Sequence, residues 1–467
     1  MRDALRTCLL ACGLVVLAAG CTDDGAADAT VVDFWALGYE GEVVERLVPA
    51  FEARTPGVRV RVQQIPWSAA REKLITAFVA GTMPDVFQLG STWVAEFVAL
   101  GALEPLSTAD VASAQGDGFF PGILEANVID GTTWGLPWYV DTRVLFYRSD
   151  LLSRTGRRAP RTWDEWLDCM EAVRREASGD AFAILLPLTE WETPVILAMQ
   201  SGATLLRDDE TRGNFQSPEF RRAFTFYVSL FERGLAPRSG EASAANLYQG
   251  FADGTFSFLI TGPWNLAQFR ERLPASLQHA WATAPMPAPQ ADGFPGVSLA
   301  GGASLALWRG SRVKDAAWKW VQYLVAPEAQ AELARLAGDL PARESAWRAL
   351  ALDRGAHTRA FWEQLRNVRP TPRIPEWERI AAEIGRRAEA AIRGEESVDR
   401  ALAALDEGVD RILAKRRWLR ERAARAAGAA DAKRAPGADD APDAALARHA
   451  AGAAITENAA GAAGGAP

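Results

Sequence analysis

The sequence predicts an α/β chain built as two lobes, each a mostly parallel sheet flanked by helices. Three observations carry this. At 467 residues the chain is too long for one ordinary hydrophobic core and suits two of about 150–200 residues. Hydrophobic residues make up 49% and charged residues 24%, the balance of a globular chain. Its folded part opens with strand, helix and strand within about 30 residues, a βαβ unit whose strands run parallel because the helix carries the chain back.

The amino terminus comes first. Arg2 and Arg6 flank a short polar start, followed by an apolar run over 9–18. A membrane-spanning helix needs about 20 such residues, so this run fits the apolar region of a secretory signal. It ends in Leu17-Ala18-Ala19-Gly20-Cys21, which resembles a bacterial lipobox. That resemblance implies a signal peptide over 1–20, lipidation of Cys21 and a small polar tether over 21–30. Ala18 stands where a lipobox usually has a larger aliphatic residue, and Asp3 is an unusual acid for such a start, so an ordinary cleaved signal is the competing account. Of four cysteines, Cys8 and Cys12 leave with the signal and Cys21 takes the lipid. Only Cys169 remains, so no internal disulfide forms and stability must come from core burial.

The first strand is expected over 31–35. A helix follows with Val44, Leu47, Val48 and Phe51 on one face, ending before Thr55-Pro56-Gly57. The alternation Val58-Arg59-Val60-Arg61-Val62-Gln63 reads as the second strand. Thr162 and Glu165 form a capping box that opens a helix carrying Trp166, Met170 and Val173. Strands are expected over 181–186 and 256–261, and a helix over 313–325. The last ordered helix spans 398–418, where Val398, Leu402, Leu405, Val409 and Ile412 recur at helical spacing. From 426 to 467 the chain is Ala, Gly, Asp and Pro, too poor in large apolar groups to offset its ordering entropy, so this tail is expected to be disordered.

Several segments share an order and spacing with a known family. They are Phe51-Glu52 before Pro56 and the alternating strand, Gly81-Thr82-Met83-Pro84-Asp85-Val86-Phe87, and Trp138-Tyr139-Val140-Asp141 leading into 145–152. The capping-box segment, Gly262-Pro263-Trp264, Gly301-Gly302, 324–328 with Gln330, Arg369-Pro370-Thr371-Pro372 and Lys415-Arg416-Arg417-Trp418 follow. Over 31–418 the chain resembles the extracellular solute-binding proteins of carbohydrate ABC importers, the group that includes maltose- and trehalose-binding proteins. The resemblance implies a periplasmic-binding-protein-like fold of the class II type, with hinged lobes joined by three crossings near 139–143, 297–301 and 325–327. Lobe one is then 31–140 plus 302–325, and lobe two 143–296 plus 327–418. It also implies a sugar ligand, permease subunits as partners and a monomer outside the cytoplasmic membrane.

A sugar presents a rim of hydroxyls, suited to carboxylates and amides, and flat C–H patches, suited to aromatic faces. Mapped through the resemblance, the ligand-binding candidates are Tyr39 and Glu40 after the first strand, Tyr139 and Asp141 on the first crossing, and Trp264 as stacking platform. Trp191 beside Glu190, Trp377 beside Glu376, and Gly301 and Gly302 for close backbone approach complete the expected wall, and Arg71 near Trp67 is a further candidate. Many relatives place an acid or Trp after the Pro-Asp-Val-Phe segment. Here Gln88-Leu89-Gly90-Ser91-Thr92-Trp93 stands instead, passing that role to Ser91 or Thr92. For each residue the competing account is ordinary: a core Trp, a loop acid, a turn glycine.

Other functions have less to work with. A net charge of −8 gives no polyanion-binding surface, which excludes nucleic acid as the expected partner. Three His, at 279, 357 and 449, with no HExxH and no CxxC pair, offer no metal site and no Ser/His/Asp chemistry. No cofactor is expected. The alternatives left open are a glycan-acting enzyme, whose carboxylates and Trp would look similar, and a binding protein for a polyol or phosphodiester.

Overall fold

The computed structural model describes residues 29–115, 118–177, 179, 181–238 and 247–434. The signal region, Cys21 and the tail beyond 434 lie outside them. The chain divides into two compact units, one ending at Ala414 and the other beginning at Lys415.

Twelve strands position the site: β1 Thr30–Leu37, β2 Val58–Ile65, β3 Val86–Gly90, β4 Leu136–Asp141, β5 Val144–Arg148, β6 Ile184–Leu185, β7 Phe258–Thr261, β8 Trp281–Ala284, β9 Ser298–Leu299, β10 Gly301–Leu307, β11 Leu340–Pro341 and β12 Val368–Arg369. The expected βαβ unit is present. β1 pairs parallel with β2 from Thr30–Val58 to Leu37–Ile65 and with β3 at Phe34 and Trp35. β10 then joins β3 antiparallel, β4 joins β10 and β11 joins β4, giving a sheet of order β11-β4-β10-β3-β1-β2. The second sheet runs β8-β5-β7-β6, with only β7 and β6 parallel. Both sheets are therefore more mixed than the expected mostly parallel ones. β5, on entering the second sheet, and β10, on returning to the first, run against the parallel strands already there, whereas β4 runs with them.

Alternation along the second sheet assigns its two faces. Leu145, Phe258 and Ile260 join the core formed with the helices Trp163–Glu176, Pro218–Glu232 and Trp377–Arg393, while Phe146, Leu259 and Trp281 face the other way. This is the period-two rule of a sheet buried on both sides.

The first crossing is short: β4 ends at Asp141 in one sheet and β5 starts at Val144 in the other, with only Thr142 and Arg143 between. The return lies next to it, because the Ser298 hydroxyl donates to the Arg143 carbonyl at 2.8 Å. The expected third crossing at 325–327 is not there. The helix Pro327–Ala337 follows directly, and β11 still pairs with β4, Leu340 to Val140 and Pro341 to Tyr139. The Ala326–Pro327 junction starts a helix with Pro at its first position rather than leaving the lobe.

Other expectations shift at their ends. The helix expected through Val44 and Phe51 is two, Glu40–Val44 and Val48–Arg54. Pro49 has no N–H for the Glu45 carbonyl, and the chain crosses 45–47 by i+3 bonds such as Leu47 N to Val44 O at 2.9 Å. Of 181–186 only 184–185 is strand, and 256–261 forms strand from Phe258. The last helix expected over 398–418 ends at Ile412, and a separate helix spans Ala414–Arg434, so the expected disordered tail begins as helix. Its long run of Ala, Arg and Lys has high helix propensity without large apolar groups. Thr162 caps its helix as expected, accepting from Glu165 N at 3.1 Å, but Glu165 reaches back to the Arg161 N–H at 2.7 Å rather than to that of Thr162.

Gly301 and Gly302 are explained by β4. A Cβ on Gly301 would lie 2.7 Å from the Asp141 carbonyl oxygen, and one on Gly302 2.3 Å from that of Tyr139, where Gly302 also has φ +127°. Close strand approach by itself demands these glycines. Gly302→Ala is expected to cost at least about 2 kcal/mol, lowering Tm by about 2 °C or more. Gly293→Ala, where the added Cβ would meet only the Ala288 Cβ at 3.4 Å, serves as control. Equal melting temperatures for the two variants would contradict this account of the crossing.

Candidate functional site

Glu40 enters through the loop after β1. Gly38 turns with φ +59°, and a Cβ there would strike the Trp67 ring at 2.5 Å. The turn leaves Tyr39 54% exposed and sends Glu40 inward to 9%. The Tyr139 hydroxyl and the Trp67 indole N–H donate to the Glu40 carboxylate; burial raises its pKa, and these donors pull against that rise. Behind it, Gln88 accepts from Leu37 N at 2.7 Å and donates to the Tyr139 hydroxyl at 3.0 Å. The amide at 88 thus works through both its oxygen and its nitrogen, and an acid could not replace it without losing the donor.

Tyr139 and Asp141 lie at the end of β4, as expected. Burial pushes the Tyr139 hydroxyl well above its ordinary pKa, and Glu40 and Asp339 add to the rise. Burial also raises the Asp141 carboxyl, opposed by Arg143, whose Nη1 is 2.5 Å from Oδ1. The other guanidinium nitrogen, Nη2, pairs with Glu192 at 2.5 Å. Glu190 stands beside Glu192, and desolvation first, then the Glu192 charge, push its carboxyl up to about 8. Asp339 completes the group. Burial and the charges of Glu40 and Asp141 raise its carboxyl well above the usual range.

Trp264 presents the flat surface. It opens the helix Trp264–Arg272, is 45% exposed, and its ring lies over the Arg143 guanidinium at 4.6 Å. A Cβ on Gly262 would collide with the ring at 1.9 Å, so the glycine of Gly-Pro-Trp is what lets the indole fold back over its own turn. Glu40, Tyr139, Asp141, Arg143, Glu192 and Trp264 form a connected acidic and aromatic group at the first crossing.

The remaining candidates are placed otherwise. Trp377 is fully buried, the first residue of a helix whose stripe Trp377, Ile380, Ile384 and Ala388 fills the second core. It supports Trp191, which is half-buried and meets it edge-to-face at 5.4 Å. Ser91 and Thr92 form a tight turn after β3, lining a narrow crevice with Ala300 and Pro370, and Thr92 donates to Glu378 at 2.6 Å. Arg71 does not reach in, because both sides of its fork are held by Glu96 at 2.8 and 2.6 Å. Sequence reasoning missed Arg143, Glu192, Asp339 and Trp67. Arg143, two residues after Asp141 on the crossing, carried a signal that could have been read. Asp339 did not, since only the β11–β4 pairing brings it there.

Among the described residues no group of three or more His, Cys, Asp or Glu could hold a metal, and no helix is long and apolar enough to cross a membrane. The diacetylchitobiose binding protein DasA of Streptomyces coelicolor is 26% identical over 81% of this chain and 90% of its own length. The mannitol-binding protein of Pseudomonas aeruginosa is 25% identical over 88% of this chain and 98% of its own. The structure of the sugar-binding protein MalE from Xanthomonas citri matches with TM-score 0.80 at 44% identity, covering 84% of this chain and 99% of that one. Residues 36–331 match the profile of the family itself, and this chain belongs to the bacterial extracellular solute-binding proteins.

Proposed function

We propose that the chain captures a sugar between its lobes outside the cytoplasmic membrane and delivers it to the permease subunits of an ABC importer. The observation that carries this is the half-exposed Trp264 ring, packed on the Arg143 guanidinium that also pairs with the half-buried Asp141, at the crossing where Tyr139 meets the buried Glu40. An aromatic face takes the C–H side of a pyranose, and carboxylates take its hydroxyls. The first ligand expected is an α-glucosidic disaccharide of the trehalose or maltose type, held by Glu40, Tyr139, Asp141 and Trp264, with Tyr39 and Trp191 at the rim. Cys21 is the proposed lipid attachment, which keeps the protein at the membrane as a monomer.

Titration with mono- and disaccharides, followed through intrinsic Trp fluorescence, is expected to give a micromolar or tighter constant for a disaccharide, about −8 kcal/mol. Mannitol and glycerophosphodiesters test the non-sugar reading; binding of these alone would replace it. Release of monosaccharide during incubation would point to an enzyme. Trp264→Ala is expected to weaken disaccharide binding about tenfold or more through lost stacking, and unchanged affinity would remove the indole from the site. In cells, Cys21→Ala is expected to move the protein from the membrane pellet to the soluble extracytoplasmic fraction. Retention in the pellet would count against the anchor.

A further inference from the structure

Asp339 occupies a position that the fold alone would not give to an acid. It follows the helix Pro327–Ala337, just past Gly338, which ends the helix with φ +82°. A helix C-terminus carries partial negative charge from its free carbonyls and disfavours a carboxylate. β11 pairs Leu340 with Val140 and Pro341 with Tyr139, and continuing that register sets Asp339 across from Asp141. Like charges facing each other across a strand pair are destabilising. The Asp339 Oδ2 is also out of solvent with no hydrogen-bond partner among the described residues, which costs further free energy. Gly338 borders the Trp264 helix, since a Cβ there would lie 3.6 Å from the Ala267 Cβ. Asp339 therefore stands beside the acids of the first lobe, one residue from the glycine that borders the helix beginning with the exposed indole.

We infer that Asp339 is a ligand-binding residue whose Oδ2 accepts a hydroxyl of the bound sugar, so that Glu40 and Asp339 grip the ring from the first lobe. This rests on the sugar-binding reading above and adds to it a residue that determines specificity. A carboxylate opposed by a helix end, by a facing acid and by burial is retained where it serves binding rather than folding. The electrostatics agree: Glu40 and Asp141 each raise the Asp339 carboxyl, and a hydroxyl donor brought by the ligand favours the charged form again.

The test compares the purified full chain with Asp339→Asn and Asp339→Ala. Both variants are expected to bind the best disaccharide from the titration at least about tenfold more weakly, while their unliganded Tm equals or exceeds that of the wild type. A purely structural residue would do the reverse, lowering Tm and leaving affinity unchanged. Monodeoxy analogues of the same disaccharide add a second readout. One of them should lose affinity for the wild type and lose nothing more against Asp339→Asn, the signature of two groups in one contact. Unchanged affinity in both variants would overturn the assignment while leaving the sugar-binding reading intact. A wild type that binds no carbohydrate would overturn both.

Discussion

The Arg143 guanidinium, held between Asp141 and Glu192, is the interaction on which the rest of the site depends. It stands in the two-residue link where the chain passes from one sheet to the other. One of its carboxylates ends β4 and the other opens the helix Glu192–Gln200, so a single cation joins the two lobes at their narrowest connection. A partly buried ion pair of this kind contributes little net stability, but removing its centre would leave two half-buried carboxylates unpaired beside Glu190. The same guanidinium supports the Trp264 ring from behind. Charge pairing, lobe connection and aromatic platform thus share one side chain.

Around this centre the acids are kept ready by donors that are already committed. Gln88 fixes the Tyr139 hydroxyl, and Tyr139 with Trp67 fixes Glu40. Each link orients the next group before a ligand arrives, which reduces the ordering cost that binding must meet. The Gln at 88 looked, in the sequence, like a lost recognition acid. In the structure it is the base of this chain of hydrogen bonds.

What the sequence made legible was local. The alternation over 58–63, the capping box at Thr162 and the spacing of Val398, Leu402, Leu405 and Val409 each follow from a period or a neighbour, and a strand and two helices stand where those signals place them. Tyr139, Asp141 and Trp264 could be placed because short motifs carry them. Trp377 could not be told from a stacking residue, since a Trp opening a helix has the same sequence whether its ring faces a core or a cleft. Asp339 and the misplaced third crossing share one cause: both depend on two-residue β11 pairing with β4 although the chain from 142 to 339, including every strand of the second sheet, lies between them in sequence. A long-range contact that short leaves no periodic trace.

The acids of the site also bear on the empty protein. Glu40, Asp141 and Asp339 are each pushed toward the neutral form by burial, and Asp339 further by the charges of the other two. In a two-lobed hinge fold, opening lets water reach such groups and lowers their cost, whereas closing without a ligand buries them with too few donors. A ligand that brings hydroxyls removes this penalty only in the closed form, and that difference in interaction is what allows a ligand to shift a conformational equilibrium. If Asp339 takes the ligand role proposed above, the features that weaken the unliganded fold there are the same ones that disfavour closure on nothing. Poor local design for stability becomes discrimination between an empty and a loaded cleft.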